Sequence, residues 1–382
     1  MELEMLEILV VVEKNSWFDW HISASFEEMG HQVHSFYFGE SLCEFYGKKR
    51  YDERIKKNQQ LVDIANHLFR ENRLDLIFCF VQDDFLLPEY AYLLEKLDVP
   101  FVNYCVDMAC QWYRLTRTAK FFSYILCAQP TNINNMKRYA KKTLYFPMAA
   151  RKIKHNVLDN IIPKAPVTFI GTPTQYRIKI LSLLNDSSVP LAIYGKYWKE
   201  KNIASPVRNI EKTVHDIWHY GIVRLHGEGI SSLFDAFKRR FTNDNILKNT
   251  YVPDHIIQDF LPSNAIPSIL KQSKINLGFT RIIGDNLDRK GTYQMRLRDF
   301  EVPLTGGFYL VEKAPGYEDF FMPDKEIVTW GTPQDLNDKV FYYLKHEKER
   351  EDIAKEGQKR ALKEHTWEHR FNMLFQELGI QY

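Results

Sequence analysis

Short, mostly apolar runs alternate with amphipathic stretches along the first 150 residues, and this constrains the fold more than any other feature of the chain. A run that is apolar along most of its length suits a strand covered on both faces, as in a parallel sheet with crossover helices. Such runs occupy residues 8–12, 33–38, 74–81, 101–106, 124–127 and 143–146. Between them, Phe18, Ile22, Phe26 and Met29 fall on one helical face that stops at Gly30, and Leu61, Ile64, Ala65 and Leu68 repeat the spacing. The alternation restarts at 167–171, continues through Tyr176, Ile180, Leu183 and Leu184 on a helical face, and reaches a strand ending Ile193-Tyr194-Gly195. The fold class is therefore α/β, with two Rossmann-like domains.

A chain of 382 residues suits two domains of ordinary size. The first is expected over 1–150 and the second over 165–364. Pro147, the basic stretch 151–155, Pro163 and Pro166 read as the linker between them. An insertion is expected near 196–260, with helices near 213–219 and 230–240, where Trp198, Trp218 and Tyr220 would contact an acceptor or pack, packing being the simpler reading. Order returns with a helix over 265–272, a strand over 275–279, a polar loop over 280–292, a helix through Glu301 and a strand over 308–312. Thr332-Pro333-Gln334-Asp335 has the form of a capping box with proline at the first helical position, and the final helices run from about 347 to the end.

The charge balance, 51 Lys and Arg against 49 Asp and Glu, gives no broad basic surface for nucleic acid. No apolar run is long enough for a membrane span, and the first residues lack the form of a signal peptide, so a cytoplasmic location is expected. All five cysteines (Cys43, Cys79, Cys105, Cys110 and Cys127) lack CxxC spacing and read as reduced, mostly buried thiols. The histidines show no ligand spacing, and no metal site is expected.

After the first strand the chain reads Glu13-Lys14-Asn15-Ser16-Trp17-Phe18 in place of a GxGxxG fingerprint, so a dinucleotide is not expected in the first domain. Two Rossmann-like domains are expected to place a ligand in a central cleft at the carboxyl ends of their strands. The richest segment for an anion runs from Asn276-Leu277-Gly278-Phe279-Thr280-Arg281 through Arg289-Lys290-Gly291 to Arg296, Arg298, Glu301 and Gly306-Gly307. A diphosphate needs cations and backbone N–H groups, which Lys290, Gly291 and the following helix start would supply. A carboxylate at 301 would accept hydrogen bonds from a ribose diol. The same Arg296, Arg298 and Glu301 also fit a solvated helix face with ordinary ion pairs, and pattern alone leaves both readings open. Asp107 directly follows the 101–106 strand, where it would serve as a base toward an acceptor hydroxyl or cap the next helix. Asp83-Asp84, which also follows a strand, has the form of an acidic pair.

Arg298-Asp299-Phe300-Glu301, Gly306-Gly307-Phe308, Phe320 with Glu326-Ile327, Asp335-Leu336, Tyr343-Leu344, Ile353-Ala354, Gly357 and His365-Thr366-Trp367 with Arg370 together resemble a known C-terminal block. It is that of the CgeB-like (spore-maturation) glycosyltransferases of the group 1 superfamily. Weaker echoes are Phe169-Ile170-Gly171 with Arg177, Ile193-Tyr194-Gly195 with Trp198, and Tyr145-Phe146-Pro147. The resemblance implies a GT-B fold, a UDP- or GDP-type sugar held by the C-terminal domain and a hydroxylated acceptor (carbohydrate, protein or other) held by the N-terminal domain. It also implies a last helix over 365–382 crossing back to the first domain. It assigns Glu301 to the donor ribose and Gly306-Gly307 to the diphosphate pocket, with transfer that retains configuration and needs no metal or other cofactor. Lys290 with one of Arg177, Arg281 or Arg298 would neutralise the leaving diphosphate, near the turn at Gly171. One departure stands out. The superfamily often carries a second Glu eight positions before the ribose Glu, where this chain has Tyr293, so a sugar-contacting carboxylate would come from elsewhere, such as Asp285 or Asp288. A nucleotide-sugar epimerase or hydrolase of the same fold, and a non-catalytic nucleotide-sugar-binding protein, are the alternatives.

Overall fold

The structure is a computed structural model and describes residues 5–13, 17–39, 42, 47–106, 112–153, 162–199, 251–283 and 292–380. The helices expected near 213–219 and 230–240, with Trp218, Tyr220, Cys43 and Cys110, lie outside the described residues. Contacts divide the chain into two compact units, the first including Met1–Pro147 and Arg370–Tyr382, the second including Met148–Ala204 and Thr242–His369.

In the first unit, β1 (Glu7–Val12) leads through a π-helical turn (Asp19–Ser23) into α1 (Ala24–Glu28), β2 (Gln32–Tyr37), α2 (Gly47–Arg70) and β3 (Leu76–Phe80). Then follow α3 (Pro88–Glu95), β4 (Phe101–Cys105), β5 (Tyr124–Cys127), α4 (Pro130–Met136) and β6 (Thr143–Tyr145). The strands form one parallel sheet in the order β2-β1-β3-β4-β5-β6. β4 and all of β1 after Glu7 are buried because both faces are covered. Gly30 ends the first helical segment with φ +93, a conformation open to glycine at little cost. On α2, Leu61, Ala65 and Leu68 are buried as expected, whereas Ile64 is exposed and Val62 is buried in its place. Cys79, Cys105 and Cys127 are buried free thiols, and burial raises all three, Cys127 to about 12.

The second unit holds β7 (Val167–Ile170), α5 (Gln175–Asp186), β8 (Leu191–Tyr194), β9 (Ile257–Gln258), α6 (Ile266–Gln272) and β10 (Ile275–Gly278). A hairpin of β11 (Arg281–Ile283) and β12 (Thr292–Tyr293) follows, then α7 (Arg298–Leu304), β13 (Tyr309–Glu312), β14 (Val328–Trp330), α8 (Pro333–Lys345) and α9 (Glu347–Glu364). The main sheet is again parallel, in the order β14-β13-β10-β7-β8-β9. The stretch expected as a polar loop over 280–292 instead begins and ends as paired strands, Arg281 opposite Tyr293. At α8 the expected cap is present: Thr332 Oγ1 accepts from Asp335 N at 3.1 Å, while Asp335 Oδ2 accepts from Gly331 N at 2.8 Å.

The last helix, α10 (Trp367–Leu378), places Phe371 against the first sheet, stacked on Phe26 with ring centroids 3.8 Å apart and edge-on to Phe78 at 6.0 Å. Arg370 Nε donates to Pro147 O at 3.0 Å, and Tyr124 donates to Glu377 at 2.8 Å. These C-terminal contacts give the first sheet a helix from the far end of the sequence. No helix among the described residues is long and apolar enough to cross a membrane.

Candidate functional site

Sheet order locates the site of the second unit before any side chain is considered. From β7 the chain adds β8 and β9 on one side and then β10, β13 and β14 on the other. The reversal lies between β7 and β10, and in open parallel sheets ligands bind outside the carboxyl ends at such a switch point. The two segments that leave those ends are residues 171–174 and Phe279-Thr280-Arg281.

The first segment is a close-packed turn. Gly171 N donates to Tyr194 O at 2.9 Å, and Trp198 Nε1 donates to Gly171 O at 2.7 Å. A Cβ at Gly195 would sit 2.1 Å from Gly171 O, so only glycine lets the two turns touch. Thr174 caps α5 by accepting from Arg177 N at 3.2 Å. Arg177 itself turns inward: it is buried, Nη1 donates to Thr172 O at 2.9 Å, and the guanidinium lies 5.4 Å from the Phe169 ring centroid. It braces the turn from beneath. Trp198 is buried, as expected of a packing ring.

The second segment is tied to its neighbours by buried polar groups. Arg296 Nε donates to Phe279 O at 3.1 Å, which fixes the entry to α7 beside the end of β10. Asp299 is 1% exposed and accepts from Arg296 N and from Tyr309 Oη, the latter at 2.7 Å. Burial raises its carboxyl above the usual range, against the lowering effect of those donors. Tyr309 reaches Asp299 across β10 because Gly278 has no side chain: a Cβ there would meet Tyr309 Oη at 2.3 Å. Arg298 and Glu301, three positions apart on α7, form an ion pair in which Glu301 is buried and Arg298 partly so. Burial lowers the Arg298 guanidinium to about 10, which leaves it charged at neutral pH.

Arg281 stands at the start of β11. Its Nε lies 3.3 Å from Glu312 Oε1, its Nη2 donates to Tyr293 Oη at 3.0 Å, and its guanidinium lies 4.9 Å from the Tyr176 ring centroid. Tyr293 thus binds an arginine. Glu312 was not singled out in the sequence, although a carboxylate closing the apolar strand Tyr309-Leu310-Val311 was the signal available. Gly306 and Gly307 are brought elsewhere. Gly306 takes φ +77 just after α7, Gly306 N donates to Pro303 O at 2.9 Å and Gly307 N to Val302 O at 3.0 Å, the two bonds of a Schellman cap. That cap lies at the amino end of β13, about 16 Å along an extended chain from Glu312. The expected helix-start charge is modest too, since α7 has 7 residues and its first turn already holds Asp299 and Glu301. Lys290, Gly291, Asp285 and Asp288 lie outside the described residues, as does Asp107 in the first unit.

In the first unit, Asp83 is a structural clamp. It accepts from Arg117 N at 2.9 Å, Thr118 N at 3.1 Å and Thr118 Oγ1 at 2.5 Å, and Asp84 pairs with Arg114 at 2.9 Å. Burial raises the Asp83 carboxyl to about 6.

Residues 219–376 match the model of a family described as Glycosyl transferase-like. No curated protein matches the sequence. Among solved structures, HepE of Anabaena in complex with UDP and glucose is similar with a TM-score of 0.56 and 10% identity, covering 98% of this chain and 99% of that one. Sucrose-phosphate synthase from Thermosynechococcus elongatus gives 0.54 and 8%, covering 97% and 99%. A glycosyltransferase from Rickettsia africae ESF-5 gives 0.50 and 11%, covering 97% of each. Identities this low speak to the fold, which is GT-B. A GT-B fold with a glycosyl transferase-like domain over 219–376 places the chain in the glycosyltransferase class of enzymes.

Proposed function

We propose that the protein transfers a sugar from a UDP- or GDP-type donor, held at the β7/β10 switch point of the second unit, to a hydroxyl of an acceptor held by the first unit. The observation that carries this reading is Arg281 at the start of β11 together with the Arg298–Glu301 pair that opens α7, whose entry Arg296 ties to Phe279 at the end of β10, the carboxyl edge where a parallel sheet binds ligands. Uracil is favoured as the base by analogy with Anabaena HepE, which was crystallised with UDP and glucose. The CgeB-like branch is the proposed relationship, carried by the C-terminal block of matching residues, and the proposed location is the cytoplasm.

In this reading Glu301 accepts from the ribose diol, while Arg281, Arg298 and Lys290 face the diphosphate. Gly171 keeps its turn low enough for the phosphates to approach, and Arg177 supports that turn through Thr172 O. Gly306-Gly307 acts on the site only by capping α7. The bond between the sugar's anomeric carbon and the β-phosphate oxygen breaks, and its electron pair leaves with the nucleoside diphosphate. Cations already in place stabilise that growing charge without reorganising. The acceptor oxygen bonds to the anomeric carbon, and its proton passes to the departing phosphate when configuration is retained, the outcome proposed here, with no metal required. Under inversion Asp107 takes the proton.

A thermal-shift series with UDP, GDP and their glucose esters tests the reading. A ligand at one hundred times its dissociation constant adds about 2.7 kcal/mol, worth a few degrees for a unit of this size. A rise with one nucleotide that disappears in Glu301→Gln, with the unliganded melting temperature kept, is the expected result. No rise with any of them at millimolar concentration removes the donor site. Release of free glucose or an epimer without acceptor selects hydrolysis or epimerisation.

A further inference from the structure

Glu312 closes β13 at the same carboxyl edge, and it is 2% exposed. Oε1 accepts from Tyr176 Oη at 2.6 Å and faces Arg281 Nε, while Oε2 accepts from the backbone N of Thr280 at 3.2 Å and of Arg281 at 3.1 Å. Thr280 Oγ1 adds a bond to Glu312 O at 3.2 Å. A carboxylate so fully engaged by its own chain is a poor base or ligand group. What it does hold is the turn from β10 into β11 and one edge of the Arg281 guanidinium.

The rest of that guanidinium is also constrained. Its faces lie near the Tyr176 and Tyr293 rings, 4.9 and 5.4 Å from their centroids, and Nη2 is bonded to Tyr293 Oη. Among the described residues neither Nη1 nor Nε, both buried, meets a hydrogen-bond acceptor; Nε has the Glu312 carboxylate 3.3 Å away as an ion pair, and Nη1 keeps its N–H donors for another group. The Arg281 side chain is only 11% exposed, so water does not readily replace the missing partner. A brace needed only for folding would use both edges of the fork. A guanidinium held by one hydrogen bond and a neighbouring carboxylate, with N–H donors left over at a switch point, is the arrangement for receiving an anionic oxygen.

We infer that Glu312 is a positioning residue that acts through Arg281, orienting Nη1 to bind a phosphate oxygen of the nucleoside diphosphate. The inference rests on the donor-site reading above. Tyr293 has a matching part, since its hydroxyl holds the second guanidinium nitrogen.

The test compares the affinities of UDP and uridine, and of GDP and guanosine, by calorimetry and ligand-observed NMR. It uses wild type, Glu312→Gln, Tyr293→Phe, Arg281→Lys and the Glu312→Gln/Arg281→Lys double variant. Glu312→Gln is expected to lower diphosphate affinity about tenfold while the nucleoside alone changes less than about twofold, because the nucleoside has no phosphate for Nη1. Tyr293→Phe, which keeps its ring, moves the same ratio in the same direction by less. Arg281→Lys matches Glu312→Gln, and the double variant is no worse than either single one. Retained nucleoside binding shows that the site is folded. An unchanged ratio in Glu312→Gln, or losses that multiply in the double variant, overturns the inference and leaves the donor site standing. If wild type binds neither diphosphate, the donor-site reading falls and takes the inference with it.

Discussion

Gly278→Ala should disturb the start of α7 although residue 278 touches no proposed ligand atom. The added Cβ would lie 2.3 Å from Tyr309 Oη, 2.5 Å from Tyr309 Cζ and 2.5 Å from Val311 Cγ2. Overpacking of a closed site costs about 1–3 kcal/mol. Displacing the phenol also breaks its bond to the buried Asp299, worth about 1.5–3 kcal/mol for a hydrogen bond to a charged group. The expected loss is therefore about 4 kcal/mol. Tyr309→Phe keeps the ring and loses only the hydroxyl, at about 2 kcal/mol. The hydroxyl is both the nearest clashing atom and the group whose bond is broken. The double variant should then lose about 4 kcal/mol where independent effects would give about 6, a coupling well above the ~0.5 kcal/mol scatter of unrelated sites. Equilibrium urea unfolding of the four proteins measures the cycle. Additive losses, or a loss below about 1 kcal/mol for Gly278→Ala alone, would refute the claim that Gly278 exists to let Tyr309 reach Asp299.

Phe371→Ala should cost about 3–5 kcal/mol in urea unfolding, because a fully buried ring stacked on Phe26 leaves a cavity; a loss under about 1 kcal/mol would mean α10 is not a part of the first unit's core. Asp83 should titrate near 6, and its pKa is raised on folding, so its contribution to stability is fully present below about pH 4 and is lost as pH rises through about 6, a total of about 3 kcal/mol. Thr118→Val removes a donor that favours the carboxylate and should move that midpoint higher; carbon-13 NMR of the Asp83 carboxyl reads it, and a midpoint near 4 contradicts the burial argument.

The sheets were legible in the sequence because full burial demands residues that are apolar on both faces, as in β1 with Val10 lying between Ser35 and Phe78. The helix stripe on α2 was less so: Leu61 and Leu68 are buried as expected, but Val62 takes the inward place given to Ile64. Several neighbouring apolar residues there satisfy more than one helical face, and packing decides among them. Thr332 and Gly30 were readable since their roles are local, a side-chain cap and a positive φ. The Gly306-Gly307 pair carried a local signal as well, glycine immediately after a helix, which fits its Schellman geometry better than a phosphate turn.

The functional edge was harder to read because its groups come from separate elements and depend on one another. Arg298-Asp299-Phe300-Glu301 shows why a motif does not sort its own residues. The i, i+3 pair Arg298 and Glu301 shares one side of α7, as helical spacing requires. Between them Asp299 turns inward to Tyr309, and Phe300 packs edge-on to Phe320 with ring centroids 5.4 Å apart and near His365 at 5.7 Å. His365 Nε2 donates to the carbonyl of Phe320, 2.8 Å away, since a carbonyl oxygen only accepts. Asp299 and Phe300 therefore brace the helix, while Arg298 and Glu301 are the pair proposed to meet the donor. Loss of the bracing half would lower activity as surely as loss of the other, so activity alone cannot assign a residue of this block to the donor. The separation needs stability and ligand affinity measured on the same variants: Tyr309→Phe should lower both, whereas Glu312→Gln should shift the ratio of diphosphate to nucleoside affinity.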